Sequence, residues 1–330
     1  MVKMGRIVTF ASALNEALYE EMERDERVIL LGEDIGVFGG VYKVTKGLLE
    51  KFGPSRVIDT PISEEGIIGT AIGMAIMGLK PVAEIMYPDF LPVCMNQLVN
   101  NAVKIKYMSN GKVSSPIVVR TCIIQGRGSG ATHSQVLIPI FMHIPGFQVI
   151  APSNPYDAKG LLKSAIRSER VTLFFENVVL YQKKGEIPDG EYTIPIGSAE
   201  IKRKGKDVTI TCFSSTVDIV LNAALKLEKE GIECEVIDLR TLWPLDEKTI
   251  IESVKKTGRI VTVENSWGVC GVGSEIITRV CEKAIDYLLA PPVRISPPHI
   301  PEPASPALVK KYVLSEDKVI DGIKKVIEYG

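Results

Sequence analysis

The sequence is poor in the residues that most often carry enzyme chemistry. It has three histidines, His133, His143 and His299, and no two are spaced to ligate a metal ion. Its six cysteines (Cys94, Cys122, Cys212, Cys234, Cys270, Cys281) include no C-x-x-C pair. Each sits in apolar sequence, which argues against a zinc ribbon or a disulfide framework and predicts buried, reduced thiols. Charge of one sign is also lacking: 39 Lys+Arg stand against 40 Asp+Glu. No nucleic-acid or membrane partner is therefore expected, and the basic run IKRKGKD at 201–207 reads as a solvated linker. The longest apolar run, Ile67–Leu79, is too short to span a bilayer, and MVKMGRIVTF lacks the apolar core of a signal peptide. A cytoplasmic protein is expected.

Two common phosphate-binding signatures are missing as well. The cluster GRGSG (126–130) has no Lys-Ser/Thr after it, and GVCGVGSE (268–275) places Ile276 where the dinucleotide fingerprint needs a third glycine.

What is present is an α/β pattern long enough, at 330 residues, for two domains. Helical periodicity at 10–24 and 155–167 alternates with short, continuously apolar strands at 27–32, 56–61, 81–86, 115–124, 147–152 and 172–176. A further apolar helix is expected near 92–108. Strands without polar alternation indicate a parallel sheet covered on both faces. Residues 182–207 are charged and rich in turn signals, and read as an exposed connector. A second α/β series follows, with strands at 207–213, 233–239, 259–264 and 293–296 and helices near 216–231, 247–257 and 271–288. The expected division is 1–185, a linker over 186–206, and 207–330.

The stretch PISEEGIIGTAIGMAIMG (61–78) sets Glu64 and Glu65 at the start of an apolar helix. Ser63 is a good N-cap, and two acids in the first turn complement the helix dipole. Capping alone accounts for such acids in most helices. Here, however, Gly69-x-x-x-Gly73 and Ala71-x-x-x-Ala75 weaken helix propensity unless another backbone approaches closely. Between Ile67 and Leu79 the only polar side chain is Thr70, so burial against another chain is expected, with the acids at its rim. Dipole and burial would pull a carboxyl pKa in opposite directions, a balance suited to sharing a proton with a ligand. His133, in the loop QGRGSGATHSQ, reads either as a surface histidine or as a ligand-loop residue. His143 and His299 read as structural.

The segments VIDTPISEEGIIGTAIGMAIMGLKPVAEI, ATHSQ and SNPYDAKGLLKSAI resemble the beta subunit of the thiamine-diphosphate-dependent component of 2-oxoacid dehydrogenase complexes. The resemblance runs nearly end to end, through IDLRTLWPLDEKTI and VTVENSWGVCGVGSEI. It implies a parallel-sheet, pyrimidine-binding transketolase-like domain followed by a smaller α/β transketolase C-terminal domain. Glu64 matches the glutamate that hydrogen-bonds the cofactor's aminopyrimidine, promoting the imino tautomer that takes up a proton, while Glu65 keeps the cap reading. Phe90, Ile62 and Met86 match the ring's packing neighbours. His133 matches a histidine at the entrance that meets the 2-oxoacid or lipoyl group. Ile117, Ala165, Ile166 and Ser168 match positions whose carbonyls bind K+ in some members.

The chain has no Gly-Asp-Gly motif, which in the family holds the Mg2+-diphosphate end. The resemblance therefore implies an alpha subunit, an α2β2 heterotetramer, and a lipoyl-bearing dihydrolipoamide acyltransferase core. Pyruvate and branched-chain 2-oxoacids both stay open as substrates. The alternatives are half of a split transketolase or deoxyxylulose-phosphate synthase, or a non-catalytic assembly subunit. Three segments depart from the family: HSQVLIPIF after the histidine (133–141), TCIIQGRGSG (121–130) and IPEPASP (300–306).

Overall fold

The computed structural model describes residues 5–329. They form two compact units. The first runs through Ile123 and resumes at Ile140–Ile196; the second comprises Ile124–Pro139 and the chain from Gly197.

In chain order the first series is β1 (Arg6–Thr9), α1 (Phe10–Arg24), β2 (Val28–Gly32), α2 (Leu48–Phe52), β3 (Val57–Asp59), α3 (Glu64–Ile76) and β4 (Lys80–Glu84). It continues with α4 (Ile105–Met108), β5 (Val118–Ile123), α5 (Ile138–His143), β6 (Phe147–Ile150), α6 (Pro155–Arg167), β7 (Val171–Asn177) and β8 (Lys184–Ile187). Strands lie side by side in the order β6-β7-β5-β4-β2-β3, all parallel. Every residue of β2, β5 and β7 is buried, which is why these strands show no polar alternation.

Helix α1 starts where the Thr9 side chain accepts from the Ser12 N–H, and it packs against α6. That contact is charged as well as apolar. Lys159 and Lys163 are buried, and their ammonium groups reach Glu20 at 2.6 and 2.5 Å. Such pairs hold helix register while their desolvation offsets much of the attraction.

The second series is β9 (Glu200–Arg203), β10 (Val208–Cys212), α7 (Thr216–Glu228), β11 (Cys234–Asp238), β12 (Thr241–Trp243), α8 (Glu247–Thr257), β13 (Ile260–Val263), α9 (Val272–Ala284), β14 (Val293–Ile295), α10 (Pro306–Tyr312) and α11 (Glu316–Ile327). The sheet order is β14-β13-β10-β11-β9, parallel except for β9. Its core gathers Val208, Ile210, Val236 and Val261 under Val220, Leu227, Val319 and Ile323.

The glycines of 268–273 serve this core, not a nucleotide. Glu264, buried at the end of β13, accepts from the N–H groups of Val272 (3.0 Å) and Gly273 (2.9 Å), capping α9. A side chain on Gly271 would put its Cβ 2.5 Å from the Glu264 carboxylate.

Four expectations need correction. Residues 92–108 are not one helix: turns lead to a π-helical stretch, Gln97–Ala102, and then to α4. Asn100 and Asn101 donate side-chain hydrogen bonds to Asn96, competing with the regular ladder. The charged connector contains two strands. β8 pairs antiparallel with β1, and β9 forms the antiparallel edge of the second sheet. Both keep a face in water, so their charges disguise them. The helix expected to 288 ends at Ala284, where φ of −148° breaks the spiral before a 3-10 turn, Ile285–Tyr287. Finally, four of the six thiols are buried, but Cys270 is exposed and Cys281 half-buried.

Candidate functional site

In the first unit β2 pairs with both β3 and β4, so the loops leaving the carboxyl ends of these strands are neighbours. Ligands collect at such points in open parallel sheets. β3 leads through Ile62 into α3, and β4 leads through Met86 to a 3-10 turn ending at Phe90. Between them β2 delivers Glu33.

Ser63 caps α3, its hydroxyl accepting from the Gly66 N–H at 3.3 Å. Glu65 is exposed in the same first turn and adds charge at the positive end of the dipole, so the hydrogen-bonding part of the cap belongs to Ser63 alone. Glu64 is half-buried, and among the described residues its carboxylate has no hydrogen bond or ion pair. Its field is felt nearby. Burial first, and then the charges of Glu64 and Asp34, raise the Glu33 pKa. Burial, with a smaller push from Glu64 and Glu65, drives the Cys94 thiol up to about 12.

Ile62 is 82% exposed, while Met86 and Phe90 are half-buried. Phe90 and Tyr87 pack with ring centroids 5.7 Å apart, and the Tyr87 hydroxyl lies 3.4 Å from that of Tyr42. An open apolar rim beside an aromatic pair and an unpartnered carboxylate fits a flat heteroaromatic ring with a basic nitrogen, the pyrimidine of thiamine. Glu33 lies within the electrostatic reach of Glu64, and the sequence reading passed over it. Its signal was the acid directly after an all-apolar strand in ILLGED.

Helix α3 buries Ile67, Ile68, Ala71, Ile72 and Ala75 within the unit. The rest of the helix, expected to be buried against another chain, is uncovered within this one. The stripe Gly66, Gly69, Thr70, Gly73, Ile76 and Met77 is exposed. A Cβ on Gly69 or Gly73 would meet nothing within 4 Å, so nothing inside the chain demands glycine there.

Of the cation positions, Ile117 lies just before β5, Ala165 and Ile166 in the last turn of α6, and Ser168 is its C-cap. The Ile117 carbonyl accepts from the Thr172 N–H (2.8 Å), and that of Ala165 from the Ser168 N–H (3.1 Å) at the end of its own helix. The carbonyl end of a helix favours a cation. Among the described residues no group of three or more His, Cys, Asp or Glu side chains could hold a metal ion.

His133 belongs to the second unit, with Ile124–Pro139. Its Nδ1 lies 3.1 Å from the Thr132 hydroxyl, and the ring is half-buried. The next residue, Ser134, is buried with an Oγ that finds no partner. His143 ends α5, and His299 packs edge-on against Trp267 at 6.1 Å.

Comparison with known proteins shows the family of the chain. Residues 7–183 match the family described as transketolase, pyrimidine binding domain, and residues 197–319 match transketolase, C-terminal domain. The chain is 44% identical to the acetoin:2,6-dichlorophenolindophenol oxidoreductase subunit beta of Bacillus subtilis, over 96% of each chain. It is 43% identical to the 2-oxoisovalerate dehydrogenase subunit beta of the same organism, over 98% of this chain and 99% of that one. Pyruvate dehydrogenase E1 component subunit beta of Rickettsia felis is 45% identical, again over 98% and 99%. An inactive beta4 tetramer of a split-gene transketolase has the same fold, with a TM-score of 0.81 at 22% identity over 98% of this chain and 99% of that one. No helix among the described residues is long and apolar enough to cross a membrane. The chain belongs to the transketolase-like family of the beta subunits of thiamine-diphosphate-dependent 2-oxoacid dehydrogenases.

Proposed function

We propose that this chain is the beta half of a cytoplasmic enzyme that decarboxylates pyruvate or a branched-chain 2-oxoacid and passes the acyl unit to a lipoyl group. Thiamine diphosphate, when bound, supplies the nucleophilic carbon for that reaction. This chain's part is to hold the pyrimidine half, with Glu64 donating a hydrogen bond to the ring and Phe90, Met86 and Ile62 packing on it. An acid that donates to the ring raises the basicity of the cofactor's amino group, and low local polarity strengthens the bond. His133 would meet the 2-oxoacid or the lipoyl group.

The diphosphate end and its Mg2+ fall to an alpha subunit, in an α2β2 heterotetramer docked on a dihydrolipoamide acyltransferase core. The carbonyls of Ile117, Ala165, Ile166 and Ser168 would take a K+ ion. The observation that carries the reading is the unpartnered Glu64 carboxylate at the head of a helix whose exposed stripe is glycine. A face that nothing inside the chain explains fits a partner's backbone.

The test is substrate-dependent reduction of an artificial electron acceptor by this chain with its alpha partner and thiamine diphosphate. Pyruvate, 3-methyl-2-oxobutanoate and acetoin are compared, the last because acetoin oxidoreductase subunits stand among the similar proteins. Glu64→Gln should lower kcat about 10²–10⁴-fold with assembly intact. Full activity in that variant would return Glu64 to the role of a cap and this chain to that of a scaffold. Preference for acetoin would move the substrate and leave the site in place.

A further inference from the structure

Two of the segments read as departing from the family meet inside the second unit, through residues 124–130 and 300–306. The Gly126 N–H donates to both carboxylate oxygens of Glu302, at 3.0 Å each, and Glu302 is only 4% exposed. One residue earlier, the Gln125 amide donates to the Asn265 carbonyl at 2.9 Å. One residue beyond Arg127, a Cβ on Gly128 would stand 3.0 Å from the Ala304 carbonyl. Gly126, Gly128 and Gly130 all have positive φ (87°, 76° and 78°), so this strip turns its bare backbone toward 302–304 with a conformation other residues resist.

The opposing segment is stiff. Pro301 and Pro303 fix φ on either side of Glu302, and the Trp267 indole donates to the Ile300 carbonyl (3.0 Å) and the Tyr312 hydroxyl (3.1 Å). Three residues after Gly130 comes His133.

We infer that Glu302 is a positioning residue: its buried carboxylate, seconded by Gln125, clamps an otherwise loose glycine strip and so fixes where His133 is presented. The reason is entropic. Alternating glycines leave a loop many conformations, and a charge-assisted hydrogen bond to the backbone removes most of them before substrate arrives. The catalytic consequence rests on the reading of His133 given above, whereas the clamp itself can be measured without it.

The experiment compares wild type, Glu302→Ala, Glu302→Gln and Gln125→Ala, each assembled with the alpha subunit. Amide exchange over 126–132 and tryptic cleavage after the exposed Arg127 report the loop directly. Glu302→Ala should speed both about tenfold or more, the loss expected of one hydrogen bond to a charged group. Its kcat/KM for the 2-oxoacid should fall about tenfold to a hundredfold, with assembly unchanged and Tm lowered by only a few degrees. Glu302→Gln, which keeps one acceptor oxygen, should recover most of both effects, and Glu302→Ala combined with His133→Ala should be no slower than His133→Ala alone.

Wild-type exchange and cleavage rates in Glu302→Ala would overturn the clamp. A loosened loop with unchanged kcat/KM would overturn its role in presenting His133. If Glu302→Ala does not fold, Glu302→Gln and the partly exposed Gln125→Ala carry the same comparison, and wild-type rates in both refute the proposal. A wild-type enzyme without any 2-oxoacid activity would refute the functional reading, while the exchange data would still decide the clamp.

Discussion

Arg120 and Glu176 form a two-pronged pair across adjacent strands, Nε to Oε1 at 2.6 Å and Nη2 to Oε2 at 2.9 Å, with both side chains at most 3% exposed. The remaining Nη1 reaches Glu84 at 2.6 Å, and the Tyr181 hydroxyl donates to Glu176 at 2.7 Å. Burial pushes the Glu176 carboxyl pKa up, while the guanidinium and the phenol pull it back. Removing the cation leaves two carboxylates confined beneath the strand ends that carry Met86. Arg120→Gln should destabilise the chain by about 3–5 kcal/mol, seen as a lower denaturant midpoint with unchanged slope. Arg120→Lys, which lacks the planar fork, should fall between.

The glycine stripe of α3 separates folding from assembly. Because Gly73 has open space around it, Gly73→Leu should fold with a thermal midpoint no lower than wild type, helped by better helix propensity. The same variant should fail to form the heterotetramer in sedimentation. Normal assembly of Gly73→Leu would remove the stripe from the subunit contact.

Thiol reactivity should follow burial. With an aromatic disulfide reagent on the native protein, Cys270 should react quickly and Cys281 slowly. Cys94, buried and with its thiol pushed up to about 12, should wait for unfolding. Rapid labelling of Cys94 would mean that the floor beneath Glu64 opens.

Acid stability should carry the mark of Asp25. Hydrogen bonds from the Arg27 side chain hold its carboxyl at about 2, below the 3.8 of the unfolded chain, against a smaller opposing effect of burial. A group depressed in the folded state contributes above the unfolded value and loses that contribution as the pH falls through the folded one. Between about pH 4 and pH 2 the Tm of Asp25→Asn should therefore fall less steeply than that of wild type. Parallel curves would show that Arg27 gives Asp25 no net advantage.

Much of the fold was legible because the relevant signals are local. Helices 10–24, 155–167 and 247–257 emerge where periodicity placed them, and Ser-Glu-Glu-Gly before an apolar run marks the start of α3. What escaped the sequence depends on contacts between distant residues. Glu33 comes near Glu64 only because β3 and β4 flank β2, an order no periodicity reveals. β8 looks like a loop until β1, nearly the whole domain away in sequence, supplies its hydrogen-bond partners. Glu302 meets the N–H of Gly126, 176 residues earlier, a contact that no local pattern announces.

The second unit is woven from two stretches of chain, Ile124–Pro139 and the run from Gly197. No single breakpoint in the gene releases it whole. A recombinant exchanging everything after residue 196 with a homologue would keep the parental glycine strip and import a foreign segment opposite it. Chimaeras that swap 121–130 and 300–306 together should therefore tolerate recombination better than those that swap one.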